Sequence, residues 1–185
     1  RLTIHPAQAV EPGPIELTLV LPGNFDTQLV GLYASRFTDD AGTERKLATT
    51  QFEATYARKC FPCWDEPAFK ASFELELDID PALDAVANSA ELSRQPTPEG
   101  RLRLTFAPTI PMSTYLVAFV VGPLAITDPV DVDGTPLRIV HVPGKGELTG
   151  FALEAGAFAL RYFADYFGLP YPGDKLDLVA IPDFA

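Results

Sequence analysis

The residues best equipped for chemistry crowd into Thr50–Leu77, TQFEATYARKCFPCWDEPAFKASFELEL. This stretch holds both cysteines of the chain, Cys60 and Cys63, the adjacent carboxylates Asp65 and Glu66, and the polar pair Gln51 and Glu53 at the end of a strand-like run. Neighbouring carboxylates invite an acid–base reading. In a turn bounded by Pro62 and Pro67, however, such residues more often hold the loop by accepting backbone or Arg58 hydrogen bonds, so Asp65 and Glu66 are assigned to structure. Cys60 and Cys63 form a lone C-x-x-C. The two histidines, His5 and His141, lie far from it without metal spacing, so a four-ligand structural zinc site is not expected. A redox pair needs a helix N-terminus after a strand, which Pro62 and the Trp64–Pro67 turn do not supply. Two half-buried thiols in a packed loop are the expectation. Phe61, Trp64 and Phe69 read as core anchors, and Lys70 as a surface or salt-bridge residue.

The loop must be pinned to a sheet. Downstream, Phe73, Leu75, Leu77 and Ile79 alternate with Glu74, Glu76 and Asp78, the period-two pattern of a strand with one buried face. Upstream, Gln28–Phe37 and Lys46–Phe52 read as a hairpin closed by Asp39-Asp40-Ala41-Gly42. Ile15–Leu21, IELTLVL, is a further predicted strand between Pro14 and Pro22-Gly23. Further strands are predicted at Asp84–Ser89, Arg101–Ala107, Tyr115–Val121 and Leu137–Val142, with a turn at Pro96–Gly100. The basic face of Arg101 and Arg103 suits the acidic face of Glu74, Glu76 and Asp78 for cross-strand pairing. Near residue 143 the pattern changes to helical spacing: Leu148, Phe151, Ala155, Phe158, Tyr162 and Tyr166 share one face, which is expected to be core. Gly168 is placed to cap that helix, Pro170 stops it, and Lys175–Ile181 is a last strand.

Composition narrows the function. The 185 residues carry 14 Lys and Arg against 25 Asp and Glu, a net charge of −11, which argues against nucleic-acid binding and against anionic membrane surfaces. A cationic or amine-bearing ligand suits it better. Hydrophobic residues make up 47% of the chain, enough for a core, yet no run approaches the roughly 20 apolar residues of a membrane span. No internal repeat, phosphate-cradling glycine loop or G-x-S-x-G elbow is present.

Two phrases carry a resemblance: Thr50-Gln51-Phe52-Glu53, and Phe61 through Ala71, FPCWDEPAFKA. Together they resemble the N-terminal domain of the M1 family of zinc metalloaminopeptidases, the puromycin-sensitive branch above all, from which Tyr56, Lys59 and Cys60 depart. QLVGLYASRF, MSTYLVAF and YFGLPYPGDKLDLVAIPDFA are similar to further family segments, the last to the opening of the catalytic domain just before its GAMEN motif. The resemblance implies a mainly β fold. Residues 1–142 would form a saddle-like antiparallel β-sandwich, the M1 aminopeptidase N-terminal β domain truncated at its start. Residues 143–185 would supply the first helix and strand of an α/β thermolysin-like catalytic domain, ending before GAMEN.

It also implies a function. Glu53 would anchor the free α-amine of a peptide substrate, and Gln51 would line the pocket for the first side chain. Zinc, bound by an HExxH motif and a distant Glu, would belong to the full-length parent and not to these residues, so the chain alone would be inactive. Its partners would be the substrate N-terminus and the remainder of the catalytic domain, with no nucleic acid and no membrane, in a cytoplasmic protein. The competing reading is a non-catalytic interaction scaffold on the same fold. Retention of Gln51 and Glu53 favours the enzyme.

Overall fold

The computed structural model describes residues 3–184. Antiparallel strands β1 (Gly31–Thr38) and β2 (Glu44–Gln51) pair from Gly31↔Gln51 to Thr38↔Glu44. Asp39 shapes the turn between them, its carboxylate accepting from the amides of Ala41 and Thr43. The chain continues through β3 (Glu76–Ile79), β4 (Asp84–Ala87), β5 (Glu91–Pro96), β6 (Leu102–Phe106) and β7 (Phe119–Gly122). Short strands β8 (Ala125–Ile126) and β9 (Val130–Val132) lead to β10 (Thr135–His141), helix α1 (Thr149–Phe167) and β11 (Leu176–Val179).

The strands form three sheets, ordered β1-β2-β7-β4, β3-β6-β5 and β11-β10-β8, with β9 also on β10. The fold is mainly β, as the alternating patterns predict. Asp78 lies opposite Arg103 in the β3–β6 ladder and takes two hydrogen bonds from its guanidinium, at 2.7 Å each, which is the predicted acid–base pairing. Ile79, Ala85, Leu104 and Phe106 form one core cluster, and Leu47, Val86, Val120, Val140 and Val142 form another. No described helix is long and apolar enough to cross a membrane.

Three expectations are corrected. Ile15–Leu21 joins no ladder among the described residues, and its apolar side chains are exposed. Alternation specifies a face to bury but not a partner strand. Within Tyr115–Val121 the strand begins only at Phe119, because Thr114–Leu116 winds into one 3₁₀ turn. Asn88 holds that turn, its amide donating to Leu116 O and its carbonyl oxygen accepting from Ala118 N.

The third correction concerns α1. The helix forms where predicted and Gly168 ends it at φ 65°, a left-handed conformation that glycine adopts without steric cost. Its aromatic face, however, is exposed rather than core: Phe151 is 81% accessible and Phe158 68%. The face turned inward centres on Gly156, where an added Cβ would lie 2.9 Å from a methyl of Leu178 and 3.1 Å from one of Leu137. Close approach of helix to strands decides the orientation, and large rings cannot occupy that seam.

A buried ionic network joins the sheets. Arg138 on β10 makes two 2.8 Å hydrogen bonds to Asp177 on the parallel strand β11. Lys175 donates to Asp177 at 2.6 Å and to the carbonyl of Ala87 on β4 at 2.7 Å. Burial pushes the Asp177 carboxyl up, but the hydrogen bonds from Arg138 and Lys175 outweigh it and hold it below the usual carboxylate range. Asp177→Asn should therefore lose about 3 kcal/mol at pH 7 in urea unfolding. The ionised carboxylate stabilises the fold above its unfolded pKa of about 3.9, and that contribution is lost as pH falls through the lower folded value. The gap between wild type and variant should begin to narrow as pH falls below about 4, whereas a gap independent of pH would contradict the account.

Candidate functional site

At the end of β2, burial alternates. Thr50 is buried, Gln51 is half-buried, Phe52 is buried and Glu53 is exposed. β2 ends at Gln51, Phe52 turns into the core, and Glu53 opens the exposed turn that follows. Phe52 clusters with Ala57, Met112 and Val117, and its ring meets Phe61 edge-on at 5.9 Å. Thr50 Oγ1 accepts from Phe119 N at 3.1 Å, fixing this end of β2 to β7. Among the described residues, no side-chain hydrogen bond or ion pair engages the Glu53 carboxylate. The peptide between Glu53 and Ala54 is cis.

The chain then enters a 3₁₀ turn, Ala57–Lys59, and an extended stretch in which Cys63 points partly inward, Trp64 out, Asp65 in and Glu66 out. Asp65 organises the loop. Its Oδ2 accepts from the backbone amide of Arg58 at 3.1 Å and from Arg58 Nε at 2.9 Å, and its Oδ1 accepts from Thr114 Oγ1 at 2.9 Å. Arg58 Nη2 also donates to the Asp65 carbonyl at 2.8 Å. Burial raises the carboxyl, but the Arg58 and Thr114 hydrogen bonds overcome it and keep Asp65 below the usual carboxylate range. Next door, Ser113 Oγ donates to Pro67 O at 2.7 Å, and Ala71 and Met112 exchange backbone hydrogen bonds.

The structural role assigned to Asp65, with Arg58 as its partner, is therefore what the geometry displays. Thr114 and Ser113 were not foreseen, since they lie 49 and 46 residues from their partners and no local pattern connects them. Glu66 is exposed and holds the loop through its backbone alone, its N–H bonding Trp64 O and its carbonyl accepting from Phe69 N. Two expected core anchors are also corrected: Trp64 is 76% exposed and Phe69 58%. With Asp65 committed inward, the alternating backbone turns Trp64 to the other side. Phe61 alone is partly buried, between Phe52 and Phe73. Lys70 is exposed.

Both cysteines are free thiols and half-buried. Burial pushes both upward, and the nearby Asp65 carboxylate adds to the rise at Cys63 against the opposing pull of Arg58. No group of three or more His, Cys, Asp or Glu that could hold a metal ion occurs among the described residues. His141 is buried with Nδ1 2.7 Å from Val142 O, and His5 lies in the exposed N-terminal segment.

Residues 1–116 match the family model of the peptidase M1 N-terminal domain. The chain is 39% identical to puromycin-sensitive aminopeptidase of Caenorhabditis elegans over 185 residues, all of this chain and 20% of that protein. It is 44% identical to aminopeptidase M1-B of Oryza sativa subsp. japonica over 170 residues, 91% of this chain and 19% of the relative. To human endoplasmic reticulum aminopeptidase 1 it is 39% identical over 171 residues, 92% of this chain and 18% of the relative. The chain belongs to the M1 peptidase family. It spans about a fifth of the length of these curated relatives.

Two predictions follow from the loop. Asp65→Ala strands a backbone amide, a guanidinium and a buried hydroxyl, and should cost about 2–3 kcal/mol in urea unfolding, whereas Glu66→Ala should stay within about 0.5 kcal/mol of wild type. Thiol titration under denaturing, non-reducing conditions should count two free thiols per chain, and in the native state both should react slowly at neutral pH because burial disfavours the thiolate.

Proposed function

We propose that this chain is the part of a zinc metalloaminopeptidase that receives the free N-terminus of a peptide substrate. Glu53 accepts the protonated α-amine and Gln51 lines the pocket for the first side chain. One observation carries the reading: an exposed, uncommitted carboxylate opens the turn two residues past Gln51, the last residue of β2, and the intervening Phe52 is locked in the core at 1% exposure. A peptide α-amine has a reference pKa of about 7.7–8 and is mostly protonated near neutrality, so a fixed carboxylate recognises it by charge and hydrogen bonding together. The net charge of −11 favours a cationic ligand in the same direction. The aminopeptidase names of the relatives agree with a substrate recognised by its N-terminus.

Among the described residues no cluster of His, Cys, Asp or Glu offers a zinc ion a set of ligands. Zinc belongs, on this reading, to the longer enzyme, and the 185-residue chain alone hydrolyses nothing. On this reading the β domain gives way to the first α/β elements near residue 142, and β10, which pairs with β11, belongs to both.

The test is Glu53→Ala in the full-length enzyme. Loss of one charge-assisted hydrogen bond, about 1.5–3 kcal/mol, should lower kcat/KM roughly ten- to a hundredfold. Melting temperature and zinc content should not move, because nothing in the fold leans on the Glu53 side chain. A kcat/KM within twofold of wild type would remove Glu53 as the amine anchor.

A further inference from the structure

Where the loop around Phe61 meets the ends of the β3-β6 and β4-β7 pairs, a pocket of about 320 Å³ opens. Phe61, Phe73, Leu75, Phe106, Val117 and Phe119 supply its apolar walls. That volume lies at the lower end of small-molecule sites and is roughly twice that of a cavity holding one benzene ring, so it suits a compact two-ring body. The frame is fixed on both sides. On one, Phe106 N donates to Leu75 O and Thr109 N to Phe73 O, each at 3.0 Å, and Thr109 Oγ1 accepts from Phe73 N. On the other, the Asn88 side chain bridges Leu116 O and Ala118 N. Phe61 meets Phe73 edge-on at 6.3 Å. A pocket held by such links is preformed, and little ordering opposes a ligand that enters it.

Two polar side chains reach this space uncommitted. Ser89 lines the pocket at 7% exposure, and no hydrogen bond engages its hydroxyl among the described residues. A hydroxyl so far removed from water gains from a ligand that bonds it. Glu74 is exposed at the mouth. Its neighbours on the acidic face, Glu76 and Asp78, both pair with Arg103, whereas no side-chain partner engages the Glu74 carboxylate among the described residues. Asn88 and Thr109 also line the pocket but spend their polar groups on its frame.

We propose that this pocket binds an arylalkylamine: a two-ring, indole-like body among the aromatic walls, its ring N–H donating to Ser89 Oγ and its protonated amine held at Glu74. The walls select the rings, since aromatic edges and faces pack favourably against one another. Glu74 selects the cation, and the net charge of −11 disfavours an anionic ligand of the same shape. The site is separate from Glu53 and does not depend on the aminopeptidase reading.

Titration calorimetry on the full-length protein tests this with three probes of one ring system: tryptamine, neutral 3-methylindole and anionic indole-3-acetate. Tryptamine should bind saturably and tightest, and indole-3-acetate weakest. Glu74→Gln should weaken tryptamine about threefold and leave 3-methylindole unchanged. Ser89→Ala should weaken both, and Glu53→Ala neither. No side-chain hydrogen bond among the described residues is lost in any of these variants, so each should melt with wild type. Any other pattern overturns the proposal. Absence of saturable tryptamine binding does so, as does indole-3-acetate binding equally well. Loss of tryptamine binding in Glu53→Ala alone also overturns it, and places the amine at the substrate anchor instead. Because the readout is binding and not peptidase activity, the expected pattern in a protein without that activity would sink the aminopeptidase reading and leave this site standing.

Discussion

The Asp65 carboxylate is almost wholly removed from water, and a charge in that position is tolerable only when its lone pairs are filled. Arg58 and Thr114 fill them from two separate segments, so one side chain joins the turn after β2 to the turn before β7. Ser113 and the Ala71–Met112 bridge close the same loop farther along. Each of these links fixes backbone whose hydrogen-bonding groups would otherwise need water in a partly buried loop. The path from Phe52 to Phe73 is thereby a shaped connection rather than a mobile one.

That constraint sorts the acids of the loop by role. Asp65 is consumed by the fold, Glu66 is turned outward by the alternating backbone, and Glu53 sits past the end of β2 with Phe52 anchoring the strand beneath it. A recognition carboxylate in the proposed role needs a rigid support and no internal partner; Glu53 and Glu66 both lack a side-chain partner, and of the two Glu53 follows directly on the end of β2 and the buried Phe52. The Arg138–Asp177–Lys175 network does for the α/β elements what Asp65 does for the loop, since Lys175 reaches the carbonyl of Ala87 across the sheet boundary.

What could be read in the sequence was set by short-range chemistry. The β1–β2 hairpin followed from its Asp-Asp-Ala-Gly turn, the Asp78–Arg103 contact from two alternating strands of opposite charge, and the end of α1 from Gly168. What escaped depended on distant partners. The segment β5, ELSRQP, has no apolar alternation and ends in proline, which an edge strand tolerates. The Thr114–Leu116 turn is held by Asn88 and follows a residue bonded to Pro67, so its apolar run reads misleadingly as strand. On α1 the periodicity identified an apolar stripe correctly but not what covers it, because the close contact at Gly156 had already chosen the inward side. At the candidate site, Gln51 and Glu53 were legible through the family resemblance. Their uncommitted state was not, because it depends on which partners the fold leaves for the neighbouring acids.

The central claim is that Glu53 meets the substrate amine directly, and a thermodynamic cycle on the full-length enzyme tests it most directly. Affinities of a substrate-like inhibitor and of the same inhibitor lacking its α-amine are measured against wild type and Glu53→Gln. If the carboxylate and the amine pair, removing the amine should weaken binding to wild type about ten- to a hundredfold and hardly affect the variant, a coupling of roughly 1.5–3 kcal/mol. Additive losses, with the amine worth as much in the variant as in wild type, would contradict the account.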